Sequence, residues 1–411
     1  MFARTNPFNF SRFLLFCLGI LFSVSVNGAQ NPEQAELPPK LEYNLVRTSN
    51  ATEQDIELEF NELGRMGYRY SAGGGGTKNV TETALAMYRD LNHPFPAKYE
   101  YKILVTRRVG TMSRELNEAG KQGYCYCTEF VPFTQGYKGL GVVLEREVGN
   151  TTQKCEYKVI DDGNLLNVER EMNEAGRNGF RYGGMKGTSG LFGGGVKVVI
   201  MFRPIGLSAS RQGFSNRNGG PEVTSIPERF EYRLAAASRP LALQGRMNEL
   251  GGQGFRYEDV NGPYAKGRPN EIIVLLSRRE GVTARKYEYL VLDHFNFRLR
   301  DELGSIGQQG YDYLGKLILH SEEIHGVALF GREAGTEVRG VNFLMMTALN
   351  VPQMTQRLNE AGARGYELMS ISAVNRGYED DDGICPVGRR REDGDVVVIL
   401  RQRLNRIPLD R

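Results

Sequence analysis

Four histidines, five cysteines and one dense acidic run are the residues of this 411-residue chain whose types could do chemistry. His320 and His325 bracket Ser-Glu-Glu-Ile, a set that could offer a metal imidazole nitrogens and carboxylate oxygens. An i, i+5 spacing on a hairpin fits no common zinc pattern, so a solvated turn is the better reading. Glu379-Asp-Asp-Asp382-Gly383 could hold calcium through carboxylate oxygens, but it lacks the loop spacing of an EF-hand. Arg389-Arg-Arg391 follows closely, as in a self-neutralising loop. Gly73 to Gly76 and Gly193 to Gly195 could wrap a phosphate. Neither run reads G-x-x-x-x-G-K-[ST] or opens a helix, so both read as hairpin turns. Nucleophilic catalysis needs a Ser, Cys or Thr beside a His and a carboxylate. No G-x-S-x-G elbow occurs, and His93, His294, His320 and His325 are scattered along the chain. No catalytic residue, metal ligand or cofactor-binding residue is therefore assigned, and no cofactor is expected.

The N-terminus shows which compartment the cysteines meet. Arg4 and Arg12 form a weakly basic region before Phe13 to Val26, an almost unbroken apolar run of about 14 residues, and the small residues Gly28 and Ala29 follow. A bilayer span needs ~20 residues, so residues 1–28 read as a secretory signal peptide, with an uncleaved anchor as the alternative. Phe16 precedes Cys17 where a lipid-anchor signal wants a small residue. Residues 29–39 read as a spacer, and no transmembrane segment is expected after signal cleavage. A periplasmic or secreted location follows, and with it an oxidising milieu for Cys125, Cys127, Cys155 and Cys385. Cys125 and Cys127 sit two apart on one strand, too far and too poorly aimed to bond each other. The expected disulfide joins Cys155 to Cys125 or Cys127, although strand alternation puts Cys155 on an apolar face and Cys125 on a polar one. The formal net charge of +3 falls close to zero once Arg4 and Arg12 are removed. That balance argues against a nucleic-acid binder, which needs clustered Lys and Arg.

The elements that would position any site are set by an internal repeat. One phrase recurs six times, beginning with Asn61-Glu-Leu-Gly-Arg-Met-Gly-Tyr68 and Asn117-Glu-Ala-Gly-Lys-Gln-Gly-Tyr124. Its second glycine falls at Gly67, Gly123, Gly179, Gly254, Gly310 and Gly365, at intervals of 56, 56, 75, 56 and 55. Upstream, apolar residues recur at i, i+4 and i+7, as in Ile56/Phe60/Leu63 and Val168/Met172/Ala175, which marks one face of a helix. The first glycine of the phrase lies beside that face. A mid-helix glycine costs about 1 kcal/mol against alanine, so its recurrence predicts close approach of the helix to a sheet. The second glycine follows the last turn, where a left-handed residue ends a helix.

Strands flank each helix. Lys40-Leu-Glu-Tyr43, Lys98-Tyr-Glu-Tyr101, Lys154-Cys-Glu-Tyr157, Arg229-Phe-Glu-Tyr232 and Lys286-Tyr-Glu-Tyr289 alternate polar and apolar, while the sixth copy has decayed to Gly340-Val-Asn-Phe343. The last strand of each copy is a nearly continuous apolar run, such as Val396-Val-Val-Ile-Leu400, which predicts cover on both faces by neighbouring units. The long interval between the third and fourth copies contains residues 206–228, rich in Gly, Ser, Asn and Pro, which read as a flexible linker. A protease is expected to cut there first, giving two three-unit fragments. The recurring glutamates Glu62, Glu118, Glu174, Glu249 and Glu360 sit in the last helical turn, which disfavours anions. Their expected cationic partners are Arg89, Arg146, Arg203, Arg278, Arg332 and Arg401.

The order of K-x-E-Y strand, amphipathic helix, L-N-E-x-G-x-x-G-aromatic turn and two strands resembles the bacterial family called domain of unknown function 4177. Family members carry G-W-E-L at the turn. Here the Trp is always Tyr or Phe, and Tyr366-Glu367-Leu368 alone keeps the E-L. The resemblance spans most of residues 40 to 404 and implies a fold, with no catalytic residues to carry over.

The fold class expected is α+β: six tandem βαββ repeats, each a three-stranded antiparallel sheet with one helix, in two groups of three. Residues 40–205 hold repeats one to three and residues 229–411 repeats four to six. The function expected is a non-catalytic binding or scaffold protein with a protein or glycan partner. The alternative is an envelope-associated enzyme, or enzyme subunit, with its site in a cleft between repeats.

Overall fold

The computed structural model describes residues 39–48, 51–75, 84–93, 96–106, 108–130, 140–150, 152–187, 197–205, 228–261, 271–282, 285–293, 299–317, 326–348, 350–374 and 395–404. Residues 1–38 and 206–227, which hold the expected signal peptide and nearly all of the expected linker, His294, His320, His325, Cys385 and the acidic run at 379–382 lie outside them.

Six copies of one unit follow each other along the chain. The first holds β1 (Leu41–Arg47), α1 (Glu53–Arg65), β2 (Arg69–Gly75) and β3 (Ala84–Asp90). The second holds β4 (Tyr99–Thr106), α2 (Val109–Lys121), β5 (Cys125–Phe130) and β6 (Leu140–Glu147). The third holds β7 (Lys154–Asp162), α3 (Leu165–Arg177), β8 (Arg181–Gly187) and β9 (Lys197–Ile205). The fourth holds β10 (Phe230–Ala237), α4 (Pro240–Gly252), β11 (Arg256–Asn261) and β12 (Ile272–Arg279). The fifth holds β13 (Tyr287–Leu292), α5 (Leu299–Gln308), β14 (Asp312–Leu317) and β15 (Val327–Glu333). The sixth holds β16 (Val341–Ala348), α6 (Val351–Gly362), β17 (Glu367–Val374) and β18 (Asp395–Arg403).

Within every unit the third strand lies between the first and second and pairs antiparallel with both. The register shifts just after a residue that is Tyr in five copies, as between Tyr70 and Ala72, leaving a bulge at Ser71, Cys127, Gly183, Glu258, Leu314 and Met369. Each helix ends in the same way. The amide of the aromatic residue after the second glycine donates back to a carbonyl in the last turn, Tyr68 to Leu63 for example. The glycine between them takes φ from +78° to +93° in all six copies, a conformation glycine enters without steric cost.

The units close into a ring. α1 packs on β4, α2 on β7, α3 on β10, α4 on β13 and α5 on β16, and α6 then packs back on β1. β17 also pairs in parallel with β2, so the last and first units share a six-stranded sheet. The first glycine of the repeated phrase is what allows the approach. A methyl group on Gly64, Gly120, Gly176, Gly251, Gly307 or Gly362 would overlap a backbone carbonyl of the next unit's first strand. Each helix is thus held between its own sheet and the next one, and each sheet has a helix on both faces. That layering explains the continuous apolar run of the third strands.

No unit keeps a private core. Val46, Phe60 and Leu85 of the first unit bury against Tyr101, Ile103 and Val143 of the second. The same holds at every junction, including that between the third and fourth units, where Val168 and Met201 meet Tyr232 and Leu275. Residues 206–228 separate the two runs of three in sequence. Across them the packing is of the same kind as at the other junctions.

One expectation is corrected here. Glu62, Glu118, Glu174, Glu249 and Glu360 are exposed and make no ion pair among the described residues. Five of the six arginines go instead to the glutamate of the K-x-E-Y strand: Arg89 to Glu42, Arg146 to Glu100, Arg203 to Glu156, Arg278 to Glu231 and Arg332 to Glu288. Each also donates to the carbonyl that ends its own helix and lies 4.6–4.8 Å over the aromatic ring after the second glycine. The negative end of the helix is therefore met by an arginine held from the sheet. Arg401 departs from the pattern because it sits one residue out of register. Gln402 takes the equivalent place and donates to the Arg364 carbonyl.

Candidate functional site

Polar side chains gather in three places: the links at the junctions, the inner wall of the ring, and the groove beside β13. The links begin with the asparagine of the repeated phrase. Each first strand is an edge strand whose outward amides and carbonyls would otherwise lie unpaired. Asn61 accepts from the Tyr101 amide and donates to the Tyr101 carbonyl, and Asn117, Asn173, Asn248 and Asn359 do the same to Tyr157, Tyr232, Tyr289 and Tyr43. The ten distances run from 2.6 to 3.1 Å, so a side-chain carboxamide stands in for a neighbouring peptide group. The tyrosine returns the link through its hydroxyl, which donates to a backbone carbonyl just past the preceding helix, as Tyr232 does to Phe180 at 3.1 Å. These tyrosines are buried, and burial raises their pKa, so they stay protonated donors. They are core residues rather than the walls of a ligand groove.

A second link uses the residue that opens each second strand, and its chemistry changes from copy to copy. Arg69 pairs with Glu145 at 2.5 Å and Arg181 with Glu228 at 2.6 Å. Asp312 pairs with Arg401 and Arg403. Burial pushes the Asp312 carboxyl up, but the two guanidinium groups outweigh it and hold its pKa below the usual range. At the junction of the second and third units the link is covalent: Cys125 and Cys155 form a disulfide with their Cα atoms 5.4 Å apart. Strand alternation put Cys125 on a polar face. In the ring that face is covered by the next unit, so both sulfurs are buried. Cys127 is a buried free thiol at the bulge, and burial pushes its pKa well up, the reverse of an activated nucleophile.

The inner wall is made by the second strands. They contact one another from unit to unit with no helix between them, which places them nearest the ring axis. The tyrosine before each bulge reaches the strand of the next unit two residues past that strand's own equivalent. Tyr182 donates to Asp259 at 2.5 Å, Tyr126 rests on Gly184, Tyr257 on Gly315, and Leu368 replaces it in the sixth copy beside Ala72. Two charged groups stand out on this wall. Glu258 is raised by burial and accepts from Ser277 at 2.5 Å. Lys316 donates to the Ile371 carbonyl at 3.2 Å, and burial pushes its pKa down to about 7. An amine at that pKa is a proton acceptor near neutrality. Neither residue was singled out from sequence, because neither recurs between copies and a single Glu or Lys on a strand carries no spacing signal.

The groove beside β13 is shallow and open, with a volume of about 360 Å³, and includes Gln244, Asn248, Lys286, Tyr287, Glu288 and Tyr311. Gln244 and Asn248 are already bonded to β13. Of the histidines, His93 lies within the described residues, exposed and 3.1 Å from Asp90. Among the described residues no group of three or more His, Cys, Asp or Glu could hold a metal ion, and no helix is long and apolar enough to cross a membrane. The six repeat-defining glycines meet at no common point; each ends its own helix. Compared with known proteins, the chain matches no family model, no curated protein and no solved structure.

Proposed function

We propose that the chain is an exported, non-catalytic ring that presents six dissimilar connections to a protein or glycan partner, each unit being a divergent relative of domain of unknown function 4177. The observation that supports this reading is topological. In every unit the second strand runs toward the rim from which the helix starts, and a connection there leads into the third strand. The strand ends that all six connections join lie on that rim. The connections cover residues 76–83, 131–139, 188–196, 262–270, 318–326 and 375–394. Two residues suffice to join antiparallel strands, so each is longer than the fold needs. Their sequences share nothing, from Gly and Thr in the first to Glu379-Asp-Asp-Asp382 and Arg389-Arg-Arg391 in the last. Variable segments on a repeated frame are the usual form of a recognition surface.

Photo-crosslinking groups placed one per connection, with the protein returned to its native envelope, test the reading. The expected result is a common partner crosslinked from several connections. Replacing residues 131–139 or 375–394 by Asn-Gly should remove that partner while the melting temperature holds. Crosslinks arising equally from the opposite rim, or a partner kept after both replacements, would overturn it.

A further inference from the structure

One of the six helix-to-strand links is missing, and its loss leaves a defined pair of backbone groups. In five junctions the helical asparagine accepts from an amide of the next first strand at 2.6–3.0 Å. It donates to the carbonyl of the same residue at 3.0–3.1 Å. Between α5 and β16 the repeated phrase carries Gly304 in place of the asparagine. Phe343 faces Arg401 across the sheet as Tyr101 faces Glu145 and Tyr232 faces Ser277. Its amide and carbonyl therefore turn away from β18 toward α5, as those of the tyrosines turn toward their helices. Among the described residues no side chain bonds to either group.

The space beside them matches an asparagine side chain. A Cβ on Gly307 would overlap the Val341 carbonyl, just as one on Gly251 would overlap that of Tyr287. α5 thus lies as close to β16 as α4 lies to β13. A Cβ on Gly304, one turn back, would meet no atom within 4 Å. Gly304 and Ser305 are exposed, and β16 is the outer strand of its sheet, so the place opens to solvent. The same edge lacks a second cap. Glu57, Glu169 and Gln244, one turn before their asparagines, accept from the amides of Ile103, Leu234 and Val291. Arg300 holds that position in α5, and a guanidinium has no acceptor to offer the Met345 amide.

We propose that this edge binds a primary carboxamide supplied from outside the chain, either an asparagine or glutamine side chain of a partner or a free amide. A primary carboxamide presents an acceptor and a donor side by side, the match for one residue's amide and carbonyl. A carboxylate would set an oxygen against the Phe343 carbonyl, and an ammonium would set a hydrogen against the amide. A trans peptide group holds its donor and acceptor on opposite sides. The chain itself makes the fitting contact five times over. The site lies on the outer flank between the fifth and sixth units, so it does not rest on the connections being a recognition surface.

Titration of acetamide into the full chain carrying isotope-labelled phenylalanine, followed by NMR, tests this directly. The Phe343 amide signal should move to saturation. N,N-dimethylacetamide, which has no donor, should bind about tenfold more weakly. Gly304→Asn supplies the carboxamide from the helix and should remove the response while the melting temperature holds or rises. Asn173→Ala, with labelled tyrosine, should give the Tyr232 amide a response to acetamide that the parent lacks. A photo-crosslinking group at the exposed Ser305, with the protein in its native envelope, separates the two sources. A protein adduct that Gly304→Asn abolishes identifies a partner's side chain, and a saturable shift with no protein adduct identifies a free amide. A Phe343 amide that ignores acetamide overturns the proposal, and so does a response that Gly304→Asn leaves unchanged.

Discussion

Asn61, Asn117, Asn173, Asn248 and Asn359 show how a single residue type can seal a strand edge. Removing the carboxamide leaves an amide and a carbonyl unpaired in a partly buried site, so Asn173→Ala is expected to cost about 1–3 kcal/mol in denaturant melts. The sixth position offers the reverse experiment. Gly304 replaces the asparagine, and a Cβ added there would meet no atom within 4 Å. Its partner strand carries Phe343, which lacks the returning hydroxyl, so both halves of the link are missing together. Gly304→Asn with Phe343→Tyr should raise stability by about 1 kcal/mol or more, from the restored bonds and from losing a helical glycine. A fall in the melting temperature would count against the bridging role. Lys316 gives a prediction in pH. Its folded pKa of about 7 lies below that of an unfolded lysine, ~10.4. The unfolded chain therefore binds more protons across that window, and stability should rise as pH rises through it. Lys316→Met should flatten the rise and be more stable than the parent at pH 6 by about 1 kcal/mol. Equal slopes in parent and variant would refute the assignment.

Among the elements, α5 and β16 form the junction that differs most from the rest. Without the asparagine and tyrosine link it relies on Asp312, Arg401, Arg403 and Glu367. Ion pairs weaken with salt, whereas the carboxamide links elsewhere do not. Hydrogen exchange is expected to reach α5 and β16 before α2 and β7, and more so in high salt. Uniform exchange across the six junctions would remove the distinction. The junction of α2 with β7 should be the most durable, since the disulfide crosses it. Cys125 and Cys155 are 30 residues apart, a loop whose closure is worth ~3–4 kcal/mol in the chain-entropy account. Reduction should lower stability by about that much, and Cys127 should resist thiol reagents until the chain unfolds. Labelling of Cys127 in the folded state would show that the bulge is open.

For the molecule as a whole, closure is the decisive property. Every core lies between two units, so a unit removed from the end exposes two apolar faces. A protease cut engineered within residues 206–228 should leave both halves bound to each other, because α3 on β10 and α6 on β1 clamp them from both sides. The independent three-unit fragments expected from the linker alone would appear only if those two junctions were weak. Size-exclusion chromatography of the cut protein distinguishes the outcomes. A circular permutant that joins the chain ends and opens the linker should melt within a few degrees of the parent, since Pro39 and Leu404 share a rim.

The amino-acid sequence by itself determined the unit: six helices from apolar spacing, their left-handed ends from glycine, and strands read as covered on both faces. These are local properties, decided by backbone sterics and side-chain period within a few residues. It left open where the polar positions point. Cys125 looked polar by alternation and is buried, because the covering surface comes from another unit. The arginines ending the third strands were matched to the nearest helical glutamates in sequence logic, yet pair with Glu42 and its equivalents across the sheet. Lys316 and Glu258 carried no signal, since their burial depends on strands contributed by neighbouring copies. Only the tertiary structure decided that six units bend far enough to close, and closure is a sum of small angles between packed surfaces that no single repeat encodes.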